Sequence, residues 1–148
     1  MKLTSKQVRK KFKKMWPELE YIWLFDKKEW LCPSLEGMKS YLANSGIPKR
    51  VYIDEFNDCD DSASDFRSEV HTKRYNAYME GKIIREDRIP LTLYNGFGNK
   101  FRGMGMLHMI NPVICDDGEI YIVDPSPKGN RIWKADNYNN NVLYISSV

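Results

Sequence analysis

The sequence predicts an α+β domain in which one long helix packs on an antiparallel sheet. Ala63, Phe66, Val70, Ala77 and Tyr78 recur at three- and four-residue steps, the period of a helix with one buried face. Two apolar runs, 106–115 and 119–124, flank Asp116-Asp117-Gly118 and read as a β-hairpin. At 148 residues the chain is long enough for a single domain, 1–148, to bury a core without disulfides.

In chain order, Thr4 is the first N-cap, and Val8, Phe12, Met15 and Trp16 form the apolar side of a helix that Pro17 stops. Residues 21–25 read as a strand, followed by the charged turn 26–29 and a possible return through Trp30, Leu31 and Cys32. Ser34 caps a second helix with Leu35, Met38, Tyr41 and Leu42 on one face, ending at Gly46. The long helix is expected over 60–80, with Asp58 or Asp60 as its cap. Residues 91–94 read as a strand and the glycine-rich 95–105 as a loop. A three-residue turn with Gly118 left-handed pairs Cys115 with Glu119, so Ile110 faces Asp124 and His108 lies one diagonal step from Asp124 on the same face. Residues 131–133 and 142–146 complete the strands.

Composition narrows the class of protein. No apolar run approaches a membrane span, and the basic N-terminus lacks the apolar core of a secretory signal, so a cytoplasmic protein is expected, with no membrane partner. Three cysteines, Cys32, Cys59 and Cys115, are too few and too irregularly spaced for a disulfide framework or a zinc site. The net charge of +3 is unevenly spread. Lys2, Lys6, Arg9, Lys10, Lys11, Lys13 and Lys14 precede any acidic residue, and the remainder of the chain is net acidic. This basic amphipathic helix, within 1–17, either anchors nucleic acid or docks with its lysines in solvent.

The chemistry-bearing residues centre on Cys59. A thiol at a helix start feels the positive end of the helix dipole and the unpaired N–H groups of the first turn, which favour thiolate. The neighbouring Asp54, Glu55, Asp58, Asp60 and Asp61 oppose that ionisation, so the site needs an imidazolium or a bound cation. His108 on a strand and Asp124 on the next supply the order Cys, His, Asp of a thiol hydrolase: nucleophile, general base, orienting carboxylate. The backbone N–H of Cys59 and the side-chain amide of Asn57 are the candidate oxyanion donors.

The strings Asn57-Asp58-Cys59-Asp60-Asp61, Leu107-His108-Met109-Ile110-Asn111 and Asp124-Pro125-Ser126 resemble motifs of the papain-like cysteine peptidase superfamily. The branch is that of the protease domain ending the Marasmius oreades agglutinin and its small bacterial and phage relatives. The resemblance implies a papain-like fold with its catalytic core over 51–133, and cysteine peptidase or amidase activity through an acyl-enzyme on a peptide or protein substrate. The same triad order also serves transglutaminases. It further implies calcium on Asp60, Asp61 and Asp124, since hard cations take oxygen ligands. Leu107 and Met109 stand where the family has small residues, and Asp124 where it has Glu. A non-catalytic papain-like module that binds nucleic acid or a protein is the alternative.

Overall fold

The computed structural model describes residues 1–25, 29–54, 57–99, 107–137 and 141–147. Helix α1 (Ser5–Met15) starts where Thr4 accepts from the Gln7 N–H and the Gln7 side chain accepts from the Thr4 N–H in return. Helix α2 (Leu35–Ala43) is capped by Ser34, and α3 (Cys59–Met79) by Asp58. Single 3₁₀ turns form at Ile47–Lys49 and Arg85–Asp87.

The strands are β1 (Lys2–Leu3), β2 (Tyr21–Trp23), β3 (Trp30–Leu31), β4 (Asn95–Asn99), β5 (His108–Ile114), β6 (Ile120–Asp124), β7 (Arg131–Lys134) and β8 (Asn141–Ser146). Six form one sheet in the order β2-β8-β4-β5-β6-β7, antiparallel except for the parallel pair β2 and β8. The fold is thus α+β, with its long helix packed on a mostly antiparallel sheet.

Alternation along β5 and β6 sorts side chains to two cores. Ile110, Ile114, Ile120 and Ile122 join Val8, Phe12 and Trp16 of α1. Val113, Cys115 and Val123 join Met38, Leu42, Phe66 and Val70 of α2 and α3. The sheet therefore lies between α1 and the other two helices. Burial of α1 settles the basic N-terminal segment as a docked element. Three of its cations hold protein groups: Arg9 donates to the Ile22 carbonyl at 2.6 Å and Lys11 to that of Gly118 at 2.9 Å. Lys2 donates to the Glu86 carbonyl at 2.9 Å and lies 3.7 Å from the Asp87 carboxylate.

Two strand expectations are corrected. Trp30 and Leu31 do not return along residues 21–25 but pair with Leu3 and Lys2 in a separate two-stranded sheet. Residues 95–99, expected as loop, are strand β4 at the centre of the large sheet, whereas 91–94 make only isolated bridges from Leu91 to Leu31 and from Leu93 to Val113. The glycines of β4 mark close approach, not a turn. A side chain at Gly96 would meet the Pro112 ring at 2.8 Å, and one at Gly98 would strike the backbone of Asn141 and Val142. The charged turn lies mostly outside the described residues, as do 100–105 of the expected loop.

Candidate functional site

Asp58 fixes where α3 begins. Its carboxylate accepts from the Asp60 N–H at 3.3 Å, and Asp61 accepts from the Asp58 N–H at 3.4 Å, a reciprocal cap that leaves Cys59 as the first helical residue. The hairpin brings the other two residues. Gly118 is left-handed at φ 82°, and Cys115 donates to the Glu119 carbonyl at 2.9 Å, the turn expected from sequence. Asn111 then pairs with Val123, which brings His108 within a diagonal step of Asp124.

The structure brings Cys59, His108 and Asp124 together. His108 Nε2 lies 2.9 Å from Asp124 Oδ2, and Cys59 is near enough to His108 to help raise its pKa. The Met109 N–H also points at the Cys59 sulfur, 3.5 Å away. Asp124 is 2% exposed, and its other oxygen accepts from the Ser126 N–H at 3.1 Å and hydroxyl at 2.8 Å. Gly129 packs directly on that carboxylate, leaving no room for a side chain.

The electrostatics follow from these contacts. Burial disfavours a charged His108, but its hydrogen bonds to Asp124 and Cys59 and their negative charge outweigh burial and push its pKa up to about 9. Burial opposes ionisation of Asp124 too, yet the His108 and Ser126 hydrogen bonds hold it below the usual carboxylate range. Burial raises the Cys32 thiol and, with Asp117 and Asp116 nearby, pushes that of Cys115 up to about 12. Cys59 alone of the three is part-exposed.

Other expected roles fall differently. The Asn57 amide donates to the Val51 carbonyl at 2.6 Å, closing the loop before α3. Asp60, Asp61 and Asp124 do not converge as a calcium set, because Asp124 is engaged by His108 and Ser126 and Asp61 by the cap. Among the described residues the group whose ligand atoms lie within 4.8 Å of one another is Asp58, Cys59 and Asp60. A side-chain hydrogen bond with the Asp58 carboxylate, which favours the protonated form, leads the causes that raise the pKa of Asp60. A soft sulfur beside two carboxylates is a poor match for calcium, which takes oxygen throughout. Sequence reasoning missed the Met109 N–H, Ser126 and Gly129. A main-chain donor leaves no trace in residue type, whereas Asp124-Pro125-Ser126 is a side-chain-to-backbone turn signal.

No helix among the described residues is long and apolar enough to cross a membrane. No family model matches the chain, and no curated protein does. Solved structures do match. One titled "PSL1a-E64 complex" is 16% identical over 98% of this chain, with a TM-score of 0.70. A second, the Polyporus squamosus lectin bound to the human-type influenza-binding epitope Neu5Acα2-6Galβ1-4GlcNAc, is 19% identical over 98% of this chain, with a TM-score of 0.69. The chain spans about half the length of each, 50% and 49%. At such identities the likeness establishes fold alone. The one kind of protein these titles name is a lectin, and neither names a peptidase, so the papain-like peptidase assignment is corrected. With it fall the thiol-hydrolase function, its non-catalytic papain-like alternative, and the peptide, protein or nucleic-acid partner.

Proposed function

We propose that Cys59, His108 and Asp124 form a reactive-thiol site, in which the Cys59 sulfur bonds covalently to an electrophilic carbon. The observation that supports this is the hydrogen bond from His108 to a buried carboxylate, with the Cys59 sulfur lying against the same strand, 3.5 Å from the Met109 N–H. The thiol proton passes to His108, whose imidazolium Asp124 balances, and the sulfur anion at the start of α3 attacks the carbon as the carbon's bond to its leaving group breaks, iodide being released from iodoacetamide. The reading ends at the sulfur–carbon bond and includes no hydrolysis. The test is the iodoacetamide alkylation rate at each cysteine, followed by peptide mass mapping from pH 5 to 9 with and without calcium. Cys59 is expected to react at pH 6.5 at least about tenfold faster than in His108→Ala, while buried Cys32 and Cys115 stay unmodified. Equal rates in the two proteins would remove the proposal. Incubation with E64, the compound in one neighbour's title, is expected to add mass at Cys59.

A second reading, contact with a carbohydrate, rests on a separate feature. Tyr21, Trp23 and Phe25 are 50%, 43% and 46% exposed at alternate positions, and Tyr144, 42% exposed, pairs with Tyr21 across β2 and β8. Tyr144 also lies 6.1 Å from the Phe97 ring, and its hydroxyl donates to Glu20 at 3.0 Å. Exposed rings in a row form a platform on which the C–H face of a sugar can stack. Titration with Neu5Acα2-6Galβ1-4GlcNAc, the ligand named for the lectin, is expected to quench tryptophan fluorescence saturably, and Trp23→Ala to abolish the response. A linear, non-saturating signal would count against this reading.

A further inference from the structure

We infer that the outer face of α3 carries a second site, for a small carboxylate with an apolar body. A cavity of about 340 Å³ opens between α3 and residues 83–93. This is at the small end of the roughly 300–1,000 Å³ of pockets that take small organic molecules. Arg67, the innermost of its cations, lies eight residues after Cys59, or about 12 Å along the helix axis.

The lining has two chemistries. Val70, Leu91 and Leu93 are buried beneath it, and Ile83, Ile89 and Pro90 form one wall. Arg67, Arg74 and Arg88 supply the polar side, and among the described residues no Asp or Glu lines the cavity. Among the described residues, no carboxylate lies within 4.0 Å of any of the three guanidinium groups.

Their hydrogen bonds go to neutral oxygens. Arg67 Nε donates to the Leu93 carbonyl at 3.0 Å, Arg74 to those of Asp87 and Ile89 at 2.8 and 3.1 Å, and Arg88 to the Tyr78 hydroxyl at 3.4 Å. A guanidinium has five donors, so these bonds leave others to aim into the cavity. Nearby acids are engaged outward: Asp87 with Lys2, Glu80 with Lys82. Three cations held beside apolar surface without a counter-charge complement one ligand class, an anionic head on an apolar body.

Decanoate below its micelle concentration is the probe, titrated calorimetrically into the full chain, with decanol and acetate as the body-only and head-only controls. One saturable site is expected, with a Kd on the order of 100 µM and both controls at least about tenfold weaker. Arg88 is exposed, so Arg88→Gln keeps the fold and is expected to weaken decanoate by about fivefold. Ile83→Trp, which fills the cavity, is expected to abolish binding. Binding is expected to survive carboxymethylation of Cys59, which separates this site from the thiol. Equal affinity for decanol, equal affinity for acetate, or indifference to both substitutions would each overturn the inference, as would tighter binding of an acidic peptide.

Discussion

Gly129→Ala is expected to lower the pKa of His108 from about 9 to 6.5 or below, with Cys59, His108 and Asp124 all left unsubstituted. A methyl group at 129 would occupy the space of the Asp124 carboxylate, which must then swing away from His108. Burial of His108 remains and now acts unopposed against its charge. The sign of the stability effect follows. Because the folded pKa lies above the ordinary 6.5, the interaction stabilises the protein fully below pH 6.5 and is lost as pH rises through 9. The rise corresponds to about 3 kcal/mol. On the acid side the depressed pKa of Asp124 means that the same contribution is present above the ordinary 3.8 and lost as pH falls below it. Urea unfolding of both proteins at pH 6 and pH 9.5 checks this, together with an NMR titration of His108. The stability gap is expected to be about 3 kcal/mol at pH 6 and to close largely by pH 9.5, apart from any constant packing cost. A gap independent of pH would show that the Asp124 contact does not govern the proton on His108.

Asn111→Leu is expected to destabilise the protein by about 3 kcal/mol or more. Asn111 is fully buried on β5, and its amide nitrogen donates to the Ala63 carbonyl at 3.0 Å, the Tyr94 carbonyl at 2.9 Å and Asn95 Oδ1 at 3.1 Å. One side chain thus ties β5 to α3, to residue 94 and to β4. Leucine keeps much of the volume but removes every donor, leaving buried oxygens facing an apolar group. Denaturant unfolding at pH 6 measures the loss, and a value under about 1 kcal/mol would mean that backbone pairing alone holds these elements together. Ala63 lies one turn after Cys59, so slower alkylation of Cys59 is expected alongside the loss of stability.

The parts of the fold legible in sequence were those governed by local chemistry. Thr4, Ser34 and Asp58 each announce a helix start through a side-chain oxygen, and Asp116-Asp117-Gly118 announces a turn whose geometry sets the register of His108 against Asp124. β4 escaped because its glycines serve neighbouring strands: Gly96 makes room for Pro112 and Gly98 for Asn141, contacts that residue spacing does not encode. The strand through Trp30 and Leu31 was read, but its partner escaped because it lies at the start of the chain. At the site, residue types placed the thiol, imidazole and carboxylate, but not the bond from the Asn57 amide to a backbone carbonyl six residues away. The resemblance of short strings also misled, since a few residues around each position carried a family assignment that the comparisons contradict.

The parallel pairing of β2 with β8 has a mechanical meaning. Tyr21, Ile22 and Trp23 pair in register with Tyr144, Ile145 and Ser146. Tension transmitted through the chain from the N-terminal side of β2 and the C-terminal side of β8 pulls these strands along their length in opposite senses. The load then falls on the joined backbone as shear and not as unzipping, so its hydrogen bonds must yield together. Residues 1–15, upstream of β2, lie outside that clamp.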